Sequence, residues 1–294
     1  MSWDLFQRIL RDIAPGSRVN LQGLGEPLVV PWLDDAIRVA SERQLCVGLV
    51  TNGTLLTRSR ALRLIDAGLQ WIDVSIDSPS EQTYRRLRPG ARLEPVLRNL
   101  ATMVEENEKS GGLVAIRVIC VLQQANVLEL VELVEMVVDA GVKRLWLQGV
   151  AHDFSDVLND PTYADISAHS RAIRITDDVP GFDQFSAAIV AAAERAELLG
   201  LDLRIPNLTR HKKPRGHGIP RCSEPFNNMY IRHDGVVQVC CMLMGTDRAD
   251  MGRIGDEPLS TVWRNDRFSG FREQLMTDQA PEVCEGCSLY EGTL

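Results

Sequence analysis

The chain has 294 residues, is 45% hydrophobic and carries a formal charge of −8. That leaves room for one large domain and a smaller one around a sizeable core, and the acidic balance argues against a general nucleic-acid or membrane-surface binder. No apolar run reaches membrane-spanning length and no secretory signal opens the chain, so its seven cysteines suit reduced thiols or metal ligands in a cytoplasmic protein better than disulfides.

Strand-like and helix-like segments alternate from the start. Met1–Ile13 places Phe6, Ile9, Leu10 and Ile13 at helical spacing. Arg18–Leu24 reads as a short strand that runs into Gly25-Glu26-Pro27. Trp32–Arg43 reads as a helix, and Cys46–Val50 as a strand stopping at Thr51-Asn52-Gly53. Arg58–Ala67 is a helix closed by Gly68, and Trp71–Ile76 a strand ending at Asp77-Ser78-Pro79. Leu93–Lys109 is a long helix ended by Gly111-Gly112, followed by a strand at Val114–Leu122. Val127–Ala140 is a helix closed by Gly141, and Arg144–Val150 a further strand. Ala151–Pro180 reads as a polar, irregular connection, Phe182–Leu199 as an alanine-rich helix and Leu201–Ile205 as one more strand. The basic stretch Arg210–Gly218 reads as a linker, which puts residues 1–209 in a first domain and 210–294 in a second.

Helices between strands make the strands parallel, so the first domain is part of a (β/α) barrel or a doubly wound sheet. In either architecture ligands gather beyond the C-terminal strand ends. Glu26, Asn52, Ser75, Asp77 and Gln148 all fall there. Asn52, Ser75 and Asp77 also suit plain turn capping. Arg117 lies inside a strand instead, where a structural ion pair is the alternative to a ligand role.

The second domain is organised by Cys222, Cys240, Cys284 and Cys287. Cys284 and Cys287 form a C-x-x-C pair, which brings two thiolates to one centre from a single tight loop. Met229–Arg232 and Val236–Cys240 read as a hairpin turning at Asp234-Gly235, which draws Cys222 and Cys240 together. Four soft ligands suit tetrahedral zinc or a four-cysteine iron–sulfur cluster, and spacing alone does not choose between them. Cys241 faces away from Cys240 on a regular strand, and Cys46 and Cys120 sit in apolar strands as core residues.

Together these stretches resemble a radical S-adenosylmethionine (SAM) protein with a C-terminal SPASM-type extension in its short, twitch form. Gly25-Glu26-Pro27 is similar to the family's GGEP motif, which holds the SAM amino group. Thr51-Asn52-Gly53 and Ser75-Ile76-Asp77 resemble the strand ends lining the SAM pocket, and Arg117 lies where related proteins carry an arginine for the SAM carboxylate. The pattern Cys222, Gly235-x4-Cys240, Cys284-x-x-Cys287 resembles the twitch set that binds one auxiliary [4Fe-4S] cluster. The intervening Asp256–Phe271 insert, with Trp263 and Phe268, fits the same pattern.

The resemblance implies an α/β fold: a (β/α)6 TIM-type barrel missing its first strand, then a small cysteine-rich hairpin and helix domain. It also implies an oxidoreductase or maturase that uses SAM to abstract hydrogen from a peptide, protein or small metabolite. The expected electron donor is of the flavodoxin or ferredoxin kind. The sequence departs from the family in one respect. The C-x-x-x-C-x-x-C loop of the catalytic cluster is absent, and no cysteine precedes Cys46. A catalytic [4Fe-4S] cluster is therefore expected only in a longer form, and these 294 residues are expected to be inactive. The alternative is a non-catalytic iron–sulfur or zinc scaffold, an electron carrier or a peptide-binding protein.

Overall fold

Six parallel strands follow one another in space in the order of the sequence. They are β1 (Arg18–Leu21), β2 (Cys46–Thr51), β3 (Trp71–Ser75), β4 (Ala115–Val121), β5 (Arg144–Gln148) and β6 (Asp202–Arg204). The computed structural model describes residues 1–208, 221–243, 246–255, 258–277 and 281–292. The expected linker Arg210–Gly218 and the expected boundary after residue 209 lie outside the described residues. No helix among the described residues is long and apolar enough to cross a membrane.

The chain divides into two compact units. The sheet unit comprises Ala14–Gly149 and Ile175–Pro206, and the cysteine unit comprises Met1–Ile13, Val150–Arg174 and Asn207–Leu294.

In the sheet unit each of the first five strands is followed by a crossover that carries helix. Right-handed crossovers between sequential strands all fall on one side of a sheet. Ile72, Val74, Val118, Cys120, Leu145 and Leu147, all buried, face that side. They meet a helical layer whose buried residues include Val96, Leu100 and Met103 of Leu93–Lys109, and Leu133 and Val137 of Leu130–Asp139. This is the open (β/α) barrel expected from the alternation, with β1 and β6 at its two ends. On edge strand β1, Val19 and Leu21 are half-buried and Arg18 and Asn20 are exposed.

Several helices escaped the sequence reading, Asp266–Leu275 and the two that follow here among them. Glu81–Leu87 is capped by Ser80, whose hydroxyl accepts from the Thr83 amide, and it buries Thr83 and Tyr84. Ala164–Ile173 stands where an irregular connection was expected. Its inward face is Ser167 and Ser170 rather than an apolar stripe, so hydrophobic periodicity gave no sign of it.

The cysteine unit holds an antiparallel sheet of β7 (Tyr230–Ile231), β8 (Val236–Gln238) and β9 (Asp250–Arg253). The expected hairpin is present, with Ile231 opposite Val237. β9 was not foreseen, because Met251 is its one large apolar residue. Leu5 and Ile9, from helix Trp3–Arg11, pack with Val237, Val239, Leu243, Met251, Ile254 and Phe268. The first helix is thus part of the core that the last third of the chain builds.

Gly48 on β2 lies directly beneath the indole of Trp71, and a Cβ there would run into three of its ring atoms. We expect Gly48→Ala to cost about 1–3 kcal/mol through overpacking, read as a lower urea midpoint. Gly23→Ala, where a Cβ would meet nothing within 4 Å, should leave the midpoint in place.

Candidate cofactor sites

All seven cysteines are free of disulfides. Cys222, Cys240, Cys284 and Cys287 line a single cavity in the cysteine unit, together with His152, Met242, Phe271, Leu275 and Tyr290. Cys222 enters just before the short helix Glu224–Asn227, and Cys240 follows β8. Cys284 and Cys287 bracket the Glu285-Gly286 turn. Cys241 opens the next short helix and is absent from the cavity wall.

Among the described residues, no three His, Cys, Asp or Glu side chains converge on a point as one metal ion would require. The four sulfurs stand around a space instead, which suits a cluster that brings its own iron and sulfide. Burial is the first cause of the thiol shifts in this cavity, with neighbouring sulfurs adding to it. Cys287 is pushed up to about 11, and Cys240 and Cys284 higher still. Thiolates are unfavourable here unless a cationic centre is bound, and a coordinating metal deprotonates its thiols outright. The cavity therefore fits a four-thiolate iron–sulfur group.

A strap from residues 151–155 holds the C-x-x-C turn. The Asp153 amide donates to Gly286 O at 3.0 Å, and both the amide and the hydroxyl of Ser288 donate to Ala151 O, at 3.0 and 2.8 Å. His152 is buried beside the cavity. Its Nδ1 accepts from the Phe154 amide at 2.8 Å, so Nε2 carries the proton and donates to Val283 O at 3.0 Å. Burial lowers the pKa of this histidine, which keeps it neutral. Both ring nitrogens are spent on backbone, so His152 is a fixture of the wall and not a ligand. Gly286 has φ +72, and a Cβ there would strike the Asp153 carboxylate, so the turn tolerates only glycine.

At the C-terminal strand ends of the sheet unit, Glu26 joins two loops. Its carboxylate accepts from Thr51 Oγ1 at 2.6 Å, the Asn52 amide at 2.8 Å and the Leu28 amide at 3.1 Å. A carboxylate has about four acceptor positions, so one is left for a cationic ligand. Gly25 is exposed and Pro27 opens the short turn that follows. Asn52 caps its own loop, with Oδ1 accepting from the Thr54 amide and hydroxyl.

Ser75 and Asp73 share a face of β3 with Trp71. Arg117 lies opposite Asp73 and grips it with two bonds, Nε to Oδ1 at 2.6 Å and Nη2 to Oδ2 at 2.7 Å. Burial raises the Asp73 pKa, and Arg117 pulls it back down. Asp77 turns toward the neighbouring strand. It accepts from the Val121 amide at 2.9 Å and from Arg88 Nε at 2.8 Å. Its carbonyl accepts from Asn126 Nδ2 at 2.7 Å. The structure thus brings Glu26 and Asn52 together, puts Ser75 and Arg117 on one face, and gives Asp77 scaffold bonds.

Asp73, Asn126 and His152 were missed as site residues, and Thr51 was named only as part of the Thr51-Asn52-Gly53 strand end. Asp73 had a signal, since an acid in an apolar strand two residues before Ser75 must share its face and find a cation. His152 had none, because its role is set by a contact 131 residues away.

Residues 1–137 match the radical SAM superfamily model, and residues 222–288 match the SPASM iron–sulfur cluster-binding domain. The chain is 25% identical to the tungsten-containing aldehyde ferredoxin oxidoreductase cofactor-modifying protein of Pyrococcus furiosus, over 99% of this chain and 80% of that one. It is 33% identical to the GTP 3',8-cyclase of Aliarcobacter butzleri over 44% of this chain, spanning 40% of that protein. In fold it resembles Streptococcus suis SuiB bound to S-adenosylmethionine, with TM-score 0.65 and 15% identity. That match covers 98% of this chain and 64% of SuiB. SuiB bound to its precursor peptide SuiA gives a TM-score of 0.63.

The raised thiol values carry a pH dependence for the cluster-free protein. The unfolded chain releases its thiol protons near the ordinary value of 9.0, while folded Cys287 holds its proton to about 11. This stability is whole below pH ~9 and is lost as pH rises between the two values. Urea midpoints of cluster-free protein should therefore fall from about pH 9 to pH 11, and Cys287→Ala should flatten that fall.

Proposed function

The chain belongs to the radical SAM superfamily with a SPASM-type iron–sulfur domain, and on that premise we propose that it binds SAM at its strand ends and one auxiliary [4Fe-4S] cluster in its cysteine cavity. The observation that carries this is the gathering of Cys222, Cys240, Cys284 and Cys287 around one cavity from separate segments of the chain. When bound, reduced iron–sulfur and SAM together supply one-electron chemistry able to break an unactivated C–H bond.

The residues have distinct parts in this reading. Glu26, held by Thr51 and the Asn52 amide, offers its remaining acceptor position to the SAM ammonium. Gly25 lets the backbone come close to the ligand, and Pro27 fixes the turn. Ser75 and Arg117 lie on one face and together address the SAM carboxylate, with Asp73 fixing the guanidinium. Asp77 and Asn52 keep their loops in shape. The four cysteines hold the auxiliary cluster, and the strap at 151–155 fixes the turn between two of them.

The reaction class is oxidation or maturation of a peptide, protein or small metabolite, with an electron donor of the flavodoxin or ferredoxin kind. The curated relatives are named for cofactor modification and GTP cyclisation, and SuiB is bound to a precursor peptide. These names support the class without choosing within it. A specific feature favours a second reading: the sequence holds no C-x-x-x-C-x-x-C triad. The 294 residues would then act as an iron–sulfur scaffold, electron carrier or peptide-binding protein and would not cleave SAM themselves.

Anaerobic reconstitution should give about four iron and four sulfide per chain. Cys284→Ala or Cys287→Ala should abolish uptake and Cys46→Ala should not, while tight zinc with no iron would overturn the cluster. In calorimetry, Glu26→Gln should weaken SAM about tenfold, as expected for loss of a charge-assisted contact. With dithionite, chromatography of the reaction should show no 5′-deoxyadenosine. Its appearance would rule out the scaffold reading.

A further inference from the structure

The polar face of the sheet carries an alternating stack of arginines and tryptophans. The Arg18 guanidinium lies 4.2 Å from the Trp71 ring centre, and Arg117 lies 5.6 Å from the same ring. Arg117 lies 3.7 Å from Trp146, and Arg204 lies 5.0 Å from Trp146. The stack therefore crosses from β1 to β6. It holds three guanidiniums and one matched carboxylate, Asp73, which Arg117 takes. The carboxylate of Asp202, two residues before Arg204, pairs with Arg144 at 3.6 Å.

Most arginines of this unit have an acidic partner, as Arg60 and Arg63 have Asp34, Arg88 has Asp77 and Arg195 has Glu135. Arg204 has none among the described residues and is exposed, with its guanidinium carbon 5.0 Å from the centre of a half-buried indole. A guanidinium held over an aromatic ring still has N–H donors for a planar or tetrahedral anion. Like charges brought together on one side of an acidic chain repel until an anion joins them.

Register places this end of the stack. Ser75 pairs with Ile119, Ile119 with Trp146 and Trp146 with Arg204. Arg204 and Trp146 thus stand in the row of Ser75, toward the C-terminal strand ends where ligands gather. Arg18 stands low on β1, opposite Cys46 at the start of β2.

We propose that Arg204, seated on Trp146 beside the Arg117–Asp73 pair, is a specificity site for an anionic group of the substrate, a carboxylate or a phosphate. This rests on the reading of the strand ends as the ligand side of a SAM-binding sheet. Arg204 supplies the donors and the charge. Trp146, with Arg117 at 3.7 Å and Arg204 at 5.0 Å from its ring centre, restrains both guanidiniums on this face. Arg117 is matched by Asp73 and, in the reading above, committed to the SAM carboxylate, so the pull on the substrate's anion comes from Arg204.

The test uses the full chain, anaerobically reconstituted, with inorganic tripolyphosphate and citrate as probes. Tryptophan fluorescence and calorimetry follow each titration, and SAM affinity is measured separately on every variant. Saturable binding of at least one probe is expected, with Arg204→Gln weakening it about tenfold or more and Arg204→Lys less. Trp146→Phe should remove most of the fluorescence response. Arg18→Gln, the same charge change at the far end, should have little effect. Preference for tripolyphosphate or for citrate identifies the phosphate or the carboxylate as the natural group. The proposal is overturned if neither probe saturates, if Arg204→Gln binds as the native chain does, or if Arg18→Gln loses as much. Loss of SAM binding in the native chain with probe binding intact would overturn the SAM reading and leave the anion site standing.

Discussion

A parallel sheet assembled in sequence order is covered by its right-handed crossovers on one side only. Here that side takes the aliphatic residues of β3, β4 and β5, which are buried at Ile72, Val74, Val118, Cys120, Leu145 and Leu147. Strand alternation then forces the intervening residues onto the other face, and these include Trp71, Asp73, Ser75, Arg117 and Trp146. One constraint of handedness therefore decides both where the core lies and where charged chemistry is permitted. The loops that hold Glu26 and Asn52 sit at the end of this face because parallel strands all finish at the same end.

The polar face has to settle its own electrostatics. Arg117 and Asp73 are both nearly buried, and a buried charge without its partner costs about 3–5 kcal/mol. Their two-bond grip satisfies each, and the indoles on either side shield the pair from water while favouring the cation. The grip also fixes where the guanidinium points. In the reading above Arg117, already matched by Asp73, turns its remaining donors to the SAM carboxylate, so a second anion on this face is left to Arg204, the arginine without a match in the row of Ser75. Pairing and specificity thus follow from the same alternation.

Much of this was readable in the residues, for reasons that differ by element. The six strands and the helices Leu93–Lys109 and Phe182–Leu199 carry strong apolar periodicity, and the structure places both helices with the bounds expected. The gathering of the four cysteines was legible because a rare residue type at fixed spacings has few structural uses, whereas Glu26 stood out only through the resemblance of Gly25-Glu26-Pro27 to a known motif. Helix Ala164–Ile173 was not, since serines make its buried face. Nor was the placement of Trp3–Arg11, whose Leu5 and Ile9 look like any amphipathic stripe and find their core more than 200 residues later. A helix's periodicity says that one face is buried and is silent about what buries it.

That first helix bears on how the cysteine unit stands up. Its sheet is three short strands, and its described residues include two separate buried clusters. The first is aliphatic, built on Leu5, Ile9, Val237 and Phe268, and needs no metal to hold together. The second gathers Leu275, Cys287 and Tyr290, with Cys222, Phe226 and Cys284 packed against them, and Phe271 touches both. Three of the four cavity cysteines belong to this second cluster, so its core is partly made of ligands. Small cores of that kind are completed by a bound metal centre. The C-x-x-C turn is strapped by residues 151–155 through protein hydrogen bonds alone, so two of the four thiols are held in place for an incoming cluster and less of the binding energy goes into ordering them.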